Sequence, residues 1–135
     1  MELDLARSLF RAVETKAGEL GIRVAACLID AGGNMIAFER MPGTMLASTT
    51  LAEGKAYTAV AWQRPSKELW EIAQPGCGGF GINTVDARIV LSDGGVPLLD
   101  HGTLAGGIGV SGGTAEQDGE CARAAVAVFR RRVET

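Results

Sequence analysis

The sequence predicts an α+β domain, with a five-stranded, mainly antiparallel sheet packed with helices in the order α-β-β-α-α-β-β-β-α. Three observations carry this expectation. Apolar residues recur at helical spacing near both ends of the chain and in its middle. Short apolar runs of strand length fall in two groups between those helices. The links between successive runs are too short for parallel crossovers, so the pairing is expected to be antiparallel.

Leu5, Leu9, Val13, Ala17 and Leu20 line one face of the first helix, and Gly21 stops it. RVAACLID (23–30), the turn 31–34 and MIAFERM (35–41) read as a hairpin. Leu46, Leu51, Ala52, Lys55, Ala56, Ala59 and Val60 mark a second helix that ends before Pro65. Ser66 to Trp70 reads as a short capped third helix, and 75–86 as a glycine-rich loop. ARIVL (87–91), a turn at Asp93-Gly94-Gly95 and VPLLD (96–100) form the expected second hairpin, followed by the strand TLAGGIGVS (103–111). Cys121, Ala122, Ala125, Val126 and Phe129 define the closing helix.

At 135 residues with 47% hydrophobic content, the chain suffices for one core, and a single domain over 1–135 is expected. A net charge of -3 argues against nucleic acid or an anionic membrane as partner, and 5% aromatic content against a base-stacking platform. Cys27, Cys77 and Cys121 include no C-x-x-C pair, so no metal site and no disulfide framework are expected. The acidic, amphipathic start lacks a signal-peptide core, and no apolar run is long enough to span a bilayer. The expected location is the cytoplasm. Glycine stands out, with 19 residues clustered at 76–81, 94–95 and 106–113.

Gly107-Ile108-Gly109-Val110-Ser111-Gly112 satisfies G-x-G-x-x-G by letter. A dinucleotide site also needs a second parallel strand and an acid on it about 20 residues further on. Only 23 residues follow Gly112, and they read as one helix, which argues against that site. Thr114 with Gln117 matches a capping box, and Glu116 and Asp118 suit the positive end of the closing helix. The glycines themselves permit a helix or a ligand to approach the sheet closely.

Several segments together resemble one family. Val24 to Asp30 with Ala31-Gly32-Gly33 resembles its first hairpin, Phe38 to Met41 its "R-M" strand, and Ser48 with Lys55 to Ala59 its "K-A-x-T-A" helix. Gly94 to Leu98 resembles "G-G-x-P-I", and Gly106 to Gly113 with Ala115 to Asp118 resembles "G-x-I-G-V-S-G-x-x-x-x-Q-D". These motifs are similar to the GlcG/HbpS-like, or haem-degrading-protein-like, group, which includes the C-terminal domain of PduO-type proteins. The resemblance implies an α+β homo-oligomer and, for some members, haem or another tetrapyrrole as ligand. No histidine matches a haem-ligating one: His101, the single histidine, stands where the family more often has Asp or Asn before Gly.

The residues suggest where chemistry would sit. Arg40 closes a strand and is placed to clamp a carboxylate. Lys55 on the apolar side of its helix is either snorkelling or a partly buried cation suited to proton transfer. His101 has the side-chain pKa for acid–base work near neutrality, and Glu116 is a second acid–base candidate beside its capping role. Cys77 sits in a flexible loop and needs a neighbouring base or cation to become a nucleophile. Gly94, Gly95, Gly107 and Gly109 are expected to line a pocket with Arg40 and Lys55 at the sheet–helix junction. The first functional reading is a small-molecule-binding protein. The alternative is a cofactor-free isomerase, hydratase or decarboxylase acting on a small carboxylate or enolisable metabolite, and a third is an oligomeric structural or sensory protein.

Overall fold

The computed structural model describes residues 1–134; of the expected domain 1–135, Thr135 lies outside the described residues. Helix α1 (Leu3–Leu20) buries Ala6, Leu9, Phe10, Val13 and Ala17 and stops at Gly21, which takes a left-handed φ of 70°. The Ile22 N–H then closes the last turn onto the Ala17 carbonyl. Strands β1 (Ala25–Asp30) and β2 (Met35–Arg40) form the expected first hairpin, with the Asp30 carboxylate gripping the Gly32 and Asn34 N–H groups in its turn. Helices α2 (Ala47–Trp62) and α3 (Ser66–Ile72) follow, then a loop containing one 3-10 turn at Ile82–Thr84. Strands β3 (Gly95–Asp100) and β4 (Thr103–Ser111) and helix α4 (Ala115–Glu134) complete the fold.

The sheet order is β2-β1-β4-β3, and every neighbouring pair is antiparallel. Helices α1 and α4 cover one face, packing on Ala26, Leu28, Ile108 and Val110. Helix α2 covers the other, on Ala25, Cys27 and Ile29. Because β1 is covered on both faces, it reads as an unbroken apolar run rather than an alternating one.

The sheet has four strands, not the expected five. Segment 87–91 has the apolar content of a strand, but its backbone hydrogen bonds go elsewhere. Asp86 folds it into a turn by accepting the Arg88 N–H at 2.9 Å, and the Ile89 N–H returns to the Asp86 carbonyl. The Val90 N–H donates to the Thr58 hydroxyl of α2 at 2.9 Å. With its donors satisfied by a helix side chain and a turn, the segment becomes a strap across α2. The expected turn at Asp93-Gly94-Gly95 accordingly leads from this strap into β3. The second hairpin is β3–β4, turning at His101 and Gly102 with positive φ at both.

Gly107 and Gly109 of the G-x-G-x-x-G stretch admit α2 rather than a nucleotide. A Cβ on Gly109 would overlap the Ala52 carbonyl and stand 2.5 Å from the Ala56 N, and one on Gly107 would meet Val60 at 2.6 Å. Small residues on both surfaces bring helix and sheet backbones together.

Candidate functional site

A cleft lies where α3, the end of the strap and the start of α4 meet. It encloses about 550 Å³ and is lined by Trp70 and Leu91 on its apolar side and by Lys67, Asp93, Glu116 and Arg123 on its polar side. This falls within the usual size range for small-molecule sites. Helix α3 is only seven residues long, with Leu69 pointing to the core and Trp70 left 47% exposed. Lys67 has no ion-pair partner among the described residues.

A polar network fixes the floor of this cleft. Asp93 accepts the Gly94 N–H at 2.8 Å and stands 3.4 Å from the Arg123 guanidinium. Gly119 of α4 makes room for the Asp93 carboxylate, which a Cβ there would overlap. The Ser66 hydroxyl accepts the Gly95 N–H at 2.9 Å and donates to the Ser92 carbonyl. Arg123 keeps a half-exposed guanidinium with donors beyond the one directed at Asp93, a geometry suited to a carboxylate.

Behind the floor lies a buried ion pair. Lys55 and Asp118 are each 2% exposed; Lys55 Nζ donates to Asp118 Oδ2 at 2.9 Å and to the Val110 carbonyl at 3.0 Å. Asp118 also accepts the Gly113 N–H at 2.8 Å. Burial pushes the Asp118 carboxyl above the ordinary carboxylate range, against the pull of the Lys55 ammonium and the backbone donors. The pair ties α2 to the start of α4. The capping box forms as expected, with Thr114 accepting the Gln117 N–H and Gln117 accepting the Thr114 N–H.

The residues singled out in the sequence are dispersed. Glu116 lines the cleft. Lys55 is enclosed behind it, and Gly94 and Gly95 pack closely against Lys55. Gly107 and Gly109 face α2, whose backbone fills the space beside them. Arg40 ends β2 and donates to the Thr44 carbonyl at 3.1 Å. His101 lies at the other end of the sheet, exposed, with Nδ1 2.7 Å from Asp100. Arg40 is level with Ser111 through Ala25, whereas His101 adjoins Thr103, so the length of β4, about 27 Å, separates them. Cys77 is exposed in its loop; burial pushes the Cys27 and Cys121 thiols up to about 12 and about 11, leaving them protonated.

A second, smaller cleft of about 290 Å³ lies between α2, the first hairpin and the strap. On its wall Arg88 stacks 3.8 Å over the Tyr57 ring and grips both Asp86 oxygens, while the Tyr57 hydroxyl donates to Asp86 at 2.9 Å. Arg88 holds the Asp86 carboxyl well below the usual range, and the bond to Asp86 raises the Tyr57 phenol.

Lys67, Trp70, Asp93 and Arg123 escaped the sequence reading because their convergence depends on tertiary packing. Asp118 did leave a signal. It stands three, four and seven residues before Cys121, Ala122 and Ala125, on the buried stripe of α4, where Lys55 needs a counter-ion.

The family model for haem-degrading HbpS-like proteins matches residues 1–127. An uncharacterised 15.0 kDa Citrobacter freundii protein from the dhaT-dhaS intergenic region is 37% identical over 94% of this chain and 90% of its own length. The corrinoid adenosyltransferase PduO of Citrobacter freundii is 38% identical over 92% of this chain, which spans only 37% of that enzyme. The crystal structure of a PduOC–haem complex superposes with a TM-score of 0.91 at 36% identity, covering 95% of this chain and 94% of that one. No helix of the described residues is long and apolar enough to cross a membrane. On these matches, and on the motifs that first suggested it, the chain belongs to the HbpS-like family.

Proposed function

We propose that this chain binds a flat, carboxylate-bearing small molecule of the tetrapyrrole class in the cleft between α3 and the start of α4. The observation that carries the proposal is the pairing, within one cleft, of the Trp70 and Leu91 apolar wall with the Lys67 and Arg123 cations. An indole face stacks on a conjugated ring, and a guanidinium takes a carboxylate by two parallel hydrogen bonds. The likeness to a PduOC–haem complex supports the choice of ligand class. Glu116, at the start of α4, is the expected acid of the site, with its carboxylate beside the ligand edge.

Lys55, Gly94, Gly95, Gly107 and Gly109 serve the site from behind, holding α2, the strap and the start of α4 in place. Self-association accompanies this reading as the family resemblance implies, and Leu46, Phe80 and Val85 are among the apolar side chains left exposed. Light scattering that gives the mass of one chain at micromolar concentration contradicts the oligomer.

Titration with haemin, followed by its absorbance, tests the ligand. Saturation at one molecule per chain is expected, with binding about 10–100-fold weaker in Arg123→Gln, the worth of a charge-assisted hydrogen bond. Non-saturating adsorption, or equal binding by Trp70→Ala and the parent chain, overturns the assignment.

A further inference from the structure

We infer that the site recognises its ligand independently of iron, so that metal-free and iron-loaded tetrapyrroles bind alike. This rests on the function proposed above and narrows its ligand class. Haem iron is held in proteins by imidazole, thiolate, thioether or phenolate ligands. The single imidazole, His101, sits at the tip of the β3–β4 hairpin, whereas the cleft lies at the opposite end, beside the start of β3. The length of β3 separates them by roughly 17 Å.

The remaining soft or aromatic donors are also placed elsewhere. Cys27 and Cys121 are enclosed in the two cores, and Cys77 lies in the loop after α3, outside the cleft lining. None of the four methionines lines this cleft. The Tyr57 phenol faces the other cleft and keeps its proton on a hydrogen bond to Asp86 while accepting one from Arg88.

Within the cleft the polar side chains are hard nitrogen and oxygen groups, and the Glu116 carboxylate is an oxygen donor outside the ligand types that hold haem iron. Asp93 is committed to the Gly94 N–H and to Arg123. Lys67 and Arg123 are cations placed to meet ring carboxylates, and with Asp93 and Glu116 in the same lining the formal charges balance, so the cleft offers an iron centre no net attraction. Ring stacking on Trp70 and carboxylate pairing at Lys67 and Arg123 therefore account for recognition. Both features are the same with or without a metal in the ring.

The test compares haemin with metal-free protoporphyrin on the full chain, each followed by ligand absorbance, alongside His101→Asn and a Lys67→Gln/Arg123→Gln variant. Asparagine tolerates the left-handed φ of 50° at position 101, so that variant keeps the hairpin. The expected result is two dissociation constants within about threefold, unchanged in His101→Asn, and both weakened about tenfold or more in the double variant. Haemin binding tenfold or more tighter than protoporphyrin, with the advantage lost in His101→Asn, overturns the inference and leaves tetrapyrrole binding standing. An advantage for haemin that survives in His101→Asn overturns it as well, by way of another iron ligand. Binding of neither compound overturns both the inference and the function on which it rests.

Discussion

Replacing Lys55 by methionine removes one charge from a pair that is enclosed on all sides. Methionine keeps the length and nearly the volume of the lysine stem, so packing against Gly94 and Gly95 is retained. The Asp118 carboxylate then keeps only backbone donors, with the Gly113 N–H at 2.8 Å, and loses the ammonium at 2.9 Å. Breaking a buried pair from one side costs about 3–5 kcal/mol. With an unfolding entropy of about 2.1 cal/mol/K per residue, a chain of this length melts about 10–18 °C lower. Burial already raises the Asp118 carboxyl, and losing Lys55 raises it further. A group raised in the folded state contributes its stability below the unfolded value, and that contribution is lost as pH rises through the folded value. The deficit of Lys55→Met relative to the parent is therefore expected to shrink as the buffer falls from about pH 8 to about pH 4. Thermal unfolding followed by circular dichroism reads both effects. The double variant Lys55→Met/Asp118→Leu recovers most of the loss, because neither charge is then left alone. A melting temperature within about 3 °C of the parent, or costs in the two single variants that simply add, refutes the coupling.

Gly109→Ala forces a methyl group against the α2 backbone at Ala52 and Ala56 and is expected to cost about 1–3 kcal/mol; unchanged denaturant unfolding sinks the close-packing account of this glycine. Asp86→Asn weakens the hold of Arg88 and Tyr57 on the strap, so amide exchange over 86–90 is expected to quicken while β1 and β4 stay protected. Because the Asp86 carboxyl is lowered in the folded state, its contribution is present above its unfolded value of 3.8 and fades as pH falls. Exchange that does not differ from the parent at neutral pH counts against the strap being held this way.

Much of the fold was legible because local chemistry and tertiary structure agree. TLAGGIGVS spans β4 residue for residue, since its β-capable run is bounded by a turn and by the Thr114 cap. The first hairpin was legible through its Asp30-to-Asn34 turn. ARIVL misled because periodicity reports apolar content and not where the N–H groups go; Thr58 and Asp86, distant or outside the run, decide that. Lys55 was visible as a cation on an apolar helix face, but its partner lies 63 residues away. The cleft was least legible. Trp70, Asp93 and Arg123 belong to three segments, and only the crossing of α3, the strap and α4 gives them a common surface. The G-x-G-x-x-G letters had a physical basis as well, which is the approach of a helix rather than a phosphate.

Chemical-shift mapping of the isotope-labelled chain with protoporphyrin tests the location of the site most directly. The account predicts saturable shifts concentrated at residues 67–70, 91–93 and 115–123, with the Trp70 indole N–H among the largest. Shifts centred instead on His101 or Arg40, or confined to the Tyr57–Arg88 cleft, contradict it.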